Sequence, residues 1–598
     1  MIKSIVMHKL FNISFILASL GFLVFFALNS NRGFDITDES FYLLWAMQPE
    51  NVSTSYHPFG FITKYIWLFS GENIGNFRIL SVVILFLTAL IFAISLDYFL
   101  TKKHHQEGNI SLKIIPITAL SVTGFIYFSW WLISISYNLL ALVSCLLVMS
   151  GLFVAYGQNK NRTSVMVIGG VIVGLGGFIA ILSKPTTTLI LAIIVVTWVI
   201  FYRHNSKKYY FLIAAVTSAL APLLWYIFII IGGVGELYIY LSTSVYLDNI
   251  GKLGHNFESI TTAAYLSYKS LISTPAYYFF HAPIFILLFA LLFLHSSKEY
   301  YKKYREKVVI FLTFFFLVAL VFTIGDLYLN SRQRVVSFFT FSTISLFLTV
   351  LIFNGLDKAH KQELENIDAY IIVVLSLFAL PFAYSFGTNN EILKHSFSAL
   401  IFLFAIWMYS FNILLKQYAH KKNIVALLCT LMVIITVKIL DSAYSKPYRL
   451  NSNIGLQDTD VQFLGVDGVI QVDKITAKYV DDLKDAAIKS GWNERNLLID
   501  LTGGSPGALV ILNAKLVGKP WLVGGYDGSA NYVKTVIKLS GVNPFDSWIL
   551  TAPNGRRRVP VSVLSDVDYN FEERYQLVGR VRTGHRDEFQ ILWKPKKE

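Results

Sequence analysis

LFNISFILASLGFLVFFALN, residues 10–29, followed at once by SNRGFDITDESFY, residues 30–42, decides the fold of this chain. The first segment holds no Asp, Glu, Lys or Arg. At about 1.5 Å of rise per residue it covers the roughly 30 Å hydrocarbon layer of a bilayer, so it reads as a membrane-spanning helix. The second segment carries three acids, Asp35, Asp38 and Glu39, where the chain has just left the membrane. Phe41 to Ser70 then continues as an aromatic-rich, incompletely apolar stretch. It reads as a loop lying along the membrane surface.

The composition agrees. Of 598 residues, 55% are hydrophobic and only 15% charged, and the mean hydropathy is +0.56. A soluble chain of this size carries more charge. The net charge of +14 is no nucleic-acid signal, because Lys and Arg collect in the cytoplasmic loops of membrane proteins. The two cysteines, Cys145 and Cys429, fall inside apolar runs, which implies inert core residues and no disulfide framework. No small-residue cleavage site follows Asn29, so the first helix is expected to be retained.

Apolar stretches of spanning length recur along the chain, giving about 13 expected transmembrane helices: 10–29, 77–100, 114–133, 137–156, 165–183, 186–202, 210–231, 275–294, 308–325, 335–353, 369–386, 395–415 and 424–441. Every second connection is basic: Lys102 to His105, Lys160 to Arg162, Arg203 to Lys208, Lys298 to Lys307, Lys358 to Lys361 and Lys416 to Lys422. The connections 134–136, 232–274 and 387–394 are poor in Lys and Arg. By the positive-inside rule the N-terminus is cytoplasmic, the acidic loop 30–76 is external and the odd span count puts the C-terminus outside. Residues 1–446 are therefore expected to form the membrane domain. Residues 447–598, richer in Gly, Asp, Asn and Lys, form an external domain. Within it Asp481 to Lys489 reads as the end of an amphipathic helix. Asn496 to Asp500 reads as a buried strand, Thr502 to Gly507 as a turn, Ala508 to Leu516 as a helix, and Trp548 to Thr551 and Phe589 to Trp593 as strands. The class expected is an all-α polytopic membrane bundle followed by a C-terminal α/β soluble domain.

Adjacent acids on a helix diverge by roughly 100°, so only one of Asp38 and Glu39 can face a reacting centre. The same residues also fit a purely structural role, with Thr37 or Asp38 capping a surface helix that begins near Ser40.

Asp38-Glu39-Ser-Phe-Tyr42, then His57-Pro58 and Gly60, then Asn76-Phe-Arg78, resembles the first external loop of the GT-C glycosyltransferases. The lipid-A aminoarabinose transferases and protein O-mannosyltransferases are the members it most resembles. Ser183-Lys184-Pro185-Thr186 is similar to a Lys-Gly-Pro element of that family, and the span count and external C-terminal domain also match. The ordered motif covers about residues 1–100. The resemblance implies that Asp38 is the general base toward the acceptor, with Glu39 beside it and Tyr42 on the acceptor side. It implies a polyprenyl-phosphate sugar donor whose phosphate is met by basic residues. His57 stands where the aminoarabinose enzymes carry a lysine, as in the mannosyltransferases, so the phosphate ligands stay open among His57, Lys64, Arg78 and Lys184.

Arg332 and Arg334, in the segment Gly325 to Arg334, form a basic exception on the external side. They suit a grip on a lipid-linked phosphate or, equally, the anchoring of helix ends by snorkelling. In the external stretch 232–274, Glu236, Asp248, His255 and Glu258 lack any metal-ligand spacing and read as an acceptor-side flap, with Asp248 and His255 as acceptor contacts. Thr502-Gly-Gly-Ser-Pro-Gly507 lacks the spacing of a phosphate loop and reads as a structural turn. Arg556-Arg557-Arg558 reads as a solvated surface run.

The function expected is sugar transfer from a polyprenyl-phosphate donor to a cell-surface glycan or glycolipid of the O-antigen or lipopolysaccharide type. It takes place on the outer side of a bacterial cytoplasmic membrane, by an inverting displacement needing no metal or cofactor. A protein acceptor is the second reading and a flippase for lipid-linked saccharide the third. The spans show neither the internal repeat nor the mid-membrane charges of many transporters. The partners expected are the donor, the acceptor and membrane lipid. The topology has a direct check. A reporter active only outside the cytoplasm is expected to be active when fused after Glu598 and silent when fused near Lys303, and the opposite pair of results would invert the orientation.

Overall fold

The structure, a computed structural model, describes residues 2–103, 113–157, 162–201, 207–252, 261–262, 264–269, 332–359, 367–387, 391–415, 421–565, 570–583 and 588–596. Among them, eight helices are long and apolar enough to cross a membrane: Leu10–Leu28, Ile74–Thr101, Tyr137–Tyr156, Thr163–Ser183, Lys208–Ile231, Arg332–Leu351, Asp368–Ser385 and Asn423–Ser445. A ninth candidate is the pair Ile392–Ala399 and Ile401–Leu414, bent by 63° at Leu400. Two shorter apolar helices, Ile114–Trp130 and Pro185–Phe201, complete the set. Each falls on a stretch expected from hydropathy. The expected spans 275–294 and 308–325 lie outside the described residues.

Lipid offers no hydrophobic drive for one apolar helix to leave it for another, so spans associate where small residues let backbones approach. Glycines of Thr163–Ser183 do this on two sides. A Cβ at Gly169 would meet the Gly151 carbonyl at 2.6 Å, and one at Gly174 would meet Ser218 Oγ at 2.0 Å and the Ala215 carbonyl at 2.2 Å. Deeper in the bundle, aromatic rings and buried hydroxyls close the packing. Trp407 stacks on Phe339 at 4.8 Å and donates to Thr343 Oγ1 at 2.9 Å, while Trp198 donates to Ser376 Oγ at 2.9 Å. Cys145 and Cys429 are buried free thiols.

One set of these helix ends is gathered by cross-contacts. At one end, Ser134 meets Glu39, Arg332 donates to the Ser129 carbonyl, Thr186 donates to the Phe386 carbonyl, and the Tyr448 amide donates to the Trp130 carbonyl. The acidic loop and the C-terminal region sit at that same end. With α1 as Ile2–Leu28, the loop forms α2 (Asp38–Met47) and α3 (Gly60–Phe69) before α4 (Ile74–Lys103) re-enters the bundle. α3 buries Gly60, Thr63 and Trp67 and exposes Tyr65, Leu68 and Phe69, the arrangement of a helix lying in a membrane interface.

The C-terminal region pairs β1 (Thr459–Val461) antiparallel with β2 (Ile470–Val472). Its second sheet has the order β3 (Leu498–Asp500), β4 (Trp548–Thr551), β6 (Phe589–Pro595), β5 (Tyr575–Arg582). β3 and β4 are parallel and the other pairs antiparallel. The helices Lys474–Lys489 and Ser529–Leu539 complete this mixed α/β unit. The helix expected over Ala508 to Leu516 is shorter, Gly507–Ile511. Asn513 takes φ 47°, which ends it, and the chain then runs extended so that Lys515 bridges Leu497.

Gly174→Leu is expected to separate Thr163–Ser183 from Lys208–Trp225 and to lower the melting temperature of the detergent-solubilised protein. Gly177→Leu, with nothing within 4 Å of its added Cβ, is expected to leave it unchanged. Equal behaviour of the two variants would refute this packing.

Candidate active site

The acid loop is built around one arginine. Arg78, on the first turns of α4, is buried and has every one of its five N–H groups engaged. Nε and Nη2 each donate to one oxygen of Glu39 at 2.7 Å. Nη1 reaches the carbonyls of Ser30 at 2.7 Å and Arg32 at 3.4 Å, and Nη2 that of Gly33 at 2.7 Å. Glu39 in turn accepts from Ser134 Oγ at 2.6 Å and from the Asp35 amide at 3.2 Å. Four donors fill the roughly four acceptor sites of one carboxylate. Arg78 was expected among the phosphate ligands. The structure places it instead as a clamp on the acid loop, with no donor left over.

Asp35 is equally committed. One oxygen accepts from the Thr37 amide at 3.0 Å and Thr37 Oγ1 at 2.6 Å. The other accepts from the amides of Asp38 at 2.9 Å and Glu39 at 3.3 Å. These amides open α2, so Asp35 does the capping that the sequence pointed to at Thr37 or Asp38, and Thr37 makes no side-chain cap. Burial, with the charge of Asp38 second, pushes the Asp35 carboxyl up to about 6, against the pull of the Thr37 hydrogen bonds. The helix is buried rather than superficial, with seven of its ten residues out of contact with solvent.

Asp38 differs from both. It diverges from Glu39 as helix geometry requires, and its side chain retains 25% exposure. Arg449 Nη1 lies 3.0 Å from its Oδ2, and the Tyr448 phenol hydrogen-bonds to it. Burial first and Asp38 second push that phenol above its ordinary range. Tyr42 is buried 6.0 Å from the Tyr137 ring, and burial, then Tyr137 and Asp38, raise its phenol too. His57 lies 5.1 Å from the same Tyr137 ring. Asp38 is thus walled by tyrosines, with His57 across Tyr137.

The other expected residues are dispersed. Lys64 forms a partly exposed ion pair with Glu50 at 2.9 Å, away from the acids. Lys184 is buried, donates to the Tyr384 carbonyl and lies 5.3 Å from the Tyr384 ring, on which His395 stacks. Arg332 and Arg334 stand on the first turn of the helix Arg332–Ala359 rather than in a loop. Arg332 lies flat on Trp130, its Cζ 3.2 Å from the ring centroid, while Arg334 is exposed. Asp248 lies in the last turn of the helix Val234–Gly251, accepts from Tyr56 and faces Lys519, whose Nζ donates to the Thr54 carbonyl. Burial draws the Lys519 ammonium down to about 8, with Asp248 opposing. Asp248 therefore ties the 232–252 segment to loop 52–57 and to the C-terminal domain. His255 and Glu258 lie outside the described residues. Thr502 to Gly507 is a turn folded on Asp500, which accepts from Thr502 and Ser505. Among the described residues no group of three His, Cys, Asp or Glu is placed to hold a metal ion.

Sequence reasoning missed Ser134, Trp130, Tyr137, Tyr448 and Arg449. Ser134 comes from the connection 131–136, which Trp131 in the left-handed region at φ 58° turns back toward the loop. Removing one partner of a buried ion pair costs about 3–5 kcal/mol, whereas an exposed pair contributes about 0–1 kcal/mol. Glu39→Gln is therefore expected to lower the melting temperature markedly and Glu50→Gln hardly at all. Equal, small shifts would mean that Arg78 does not hold the loop.

No family model matches the chain, and no curated protein matches it. Among solved structures it is similar to ArnT from Cupriavidus metallidurans, crystallised bound to undecaprenyl phosphate, at 10% identity and a TM-score of 0.39 over 97% of each chain.

Proposed function

We propose that this protein is a GT-C-type glycosyltransferase that moves a sugar from a polyprenyl-phosphate donor to a hydroxyl of a cell-surface glycan or glycolipid, with Asp38 as the base. One observation carries the reading. Of the three acids in segment 30–42, Asp35 and Glu39 each accept four hydrogen bonds and are buried, and only Asp38 keeps partial exposure and open acceptor capacity. A hydroxyl is a weak nucleophile until a base takes its proton. Asp38 accepts that proton as the acceptor oxygen bonds to the anomeric carbon. The bond from that carbon to the phosphate oxygen breaks, and its electron pair leaves on the phosphate. Such a leaving group needs positive charge rather than a proton, which cations at the same end of the bundle supply. With the loop on the external side, where nucleotide sugars are absent, the donor is lipid-linked. Tyr42, His57 and Tyr137 line the acceptor side, and an O-antigen or lipopolysaccharide-type acceptor is preferred to a protein.

Asp38→Asn keeps the size of the side chain and touches neither the cap at Asp35 nor the clamp at Arg78. Purified in lipid and given a polyprenyl-phosphate-linked sugar, it is expected to fold normally and to transfer about 10²–10⁴-fold more slowly. Near-normal transfer by this variant would remove the base from Asp38. Mass analysis of surface glycans with and without the gene is expected to show a missing sugar, whereas an intact polymer stranded inside would favour a flippase.

A further inference from the structure

Beside Asp38 lies Arg449 on the Tyr448 ring, and the ring that meets Tyr448, Trp130, carries two further cations. Arg449 uses a single nitrogen, Nη1, for both Asp38 Oδ2 at 3.0 Å and Thr37 Oγ1 at 2.5 Å. Its Nε and Nη2 have no hydrogen-bond partner among the described residues. Its Cζ lies 4.6 Å from the Tyr448 ring centroid, and its backbone holds φ 56°, a conformation that non-glycine residues seldom adopt. The Tyr448 ring meets Trp130 edge-on at 5.3 Å, and the Tyr448 amide donates to the Trp130 carbonyl. The Trp130 ring carries Arg332 at 3.2 Å and Lys394 at 5.8 Å. Arg332 donates from Nη2 to the Ser129 carbonyl at 2.9 Å, but its Nη1 is buried without a partner among the described residues. Neither Arg332 nor Lys394 forms an ion pair among the described residues. Of the three, only Arg449 forms an ion pair among the described residues, with Asp38.

A cluster of two forks and an ammonium with donors unused among the described residues suits a phosphate, which takes bidentate N–H pairs from arginine. We propose that Arg449, Arg332 and Lys394 bind the phosphate of a lipid-linked donor, and that Arg449 couples this binding to Asp38. Without donor, Arg449 neutralises Asp38. With donor, its charge turns to the phosphate and the carboxylate is released to take a proton. The inference rests on the reading of Asp38 as base and adds to it an order of events, donor before acceptor. Arg449 is then a positioning residue for Asp38 and a ligand to the leaving group.

Linkage makes this measurable as binding, apart from turnover. The probe is a polyprenyl phosphate titrated into the full-length protein in lipid nanodiscs, with the neutral polyprenol and inorganic phosphate as separate arms. Arg449→Gln is expected to weaken polyprenyl phosphate about 10-fold or more. Asp38→Asn is expected to tighten it several-fold, because Arg449 loses its competing partner. In the Asp38→Asn, Arg449→Gln double variant most of that gain should vanish. Arg449→Lys, which keeps the charge and loses the fork, should fall between wild type and Arg449→Gln, and it decides the matter if Arg449→Gln does not fold. Unchanged affinity in both Arg449 variants would overturn the proposal. So would a gain from Asp38→Asn of the same size with and without Arg449. Inorganic phosphate binding as tightly as the lipid, with the same dependence on Arg449, would overturn the lipid assignment. Normal transfer by Asp38→Asn would remove the base reading alone, since the binding cycle judges Arg449 independently.

Discussion

The architecture at the working end of this protein depends on the bidentate ion pair between Arg78 and Glu39. Both groups are buried, and an isolated buried charge is far too costly to persist unless it is paired and hydrogen-bonded. Arg78 meets that requirement by using all five donors, two on Glu39 and three on the backbone carbonyls of residues 30–33. The result fixes the exit of the first span, the start of α2 and the entry of the second span as one body. Glu39, an acid by chemistry, becomes a structural member. Its neighbour, turned away by helix geometry, is left facing the tyrosines. An acid pair adjacent in sequence is in this way divided into one buried part that holds the loop and one partly exposed part that faces Arg449 and the tyrosines.

The C-terminal domain completes that body rather than hanging from it. The Gln471 amide donates to the Asn31 carbonyl and its carbonyl accepts from the Gly33 amide, so an isolated strand-like bridge joins the domain to the very residues that Arg78 clamps. The Gly507 amide donates to the Ile36 carbonyl at 2.8 Å, and an added Cβ there would meet Ile36 Cα at 2.8 Å. Gln48, one residue beyond the end of α2, donates to the Ala514 carbonyl and accepts from the Leu516 amide. The turn Thr502 to Gly507, which resembles a phosphate loop only in its glycines, has its purpose here. It brings a glycine to a spot where the backbone of the acid loop leaves no room for a side chain.

Hydropathy made the membrane part legible, because a bilayer requires each span to be long, apolar and helical whatever its neighbours are. The acid loop was legible as a motif, yet the roles within it were not. Ser134 reaches Glu39 across 95 residues and Arg449 reaches Thr37 across 412, and no local pattern reports such meetings. Arg78 looked like a phosphate ligand because its sequence neighbours gave no sign that three carbonyls and a carboxylate were waiting for it. The helix expected over Ala508 to Leu516 stopped early for a related reason. Extended pairing of Lys515 with the 496–498 segment won over local helical pattern.

The site also has an internal logic of charge. A base that must take a proton from a hydroxyl gains nothing from a permanent cation at its side, since the cation stabilises the carboxylate that reaction must neutralise. A phosphate that must leave gains from the same cation, because charge grows on its oxygen as the bond breaks. On the proposed reading, one arginine serves both needs in sequence only if its charge can be redistributed. The geometry of Arg449 suits such a redistribution. It sits just past the last described span, in a left-handed backbone conformation, with one nitrogen engaged and the rest of its fork without a partner among the described residues, over a tyrosine face. Arg78, with no donor unused, could not do it. The two arginines nearest the acid pair differ in the number of N–H groups left over, and that difference separates a group that fixes the loop from one able to respond to what binds beside it.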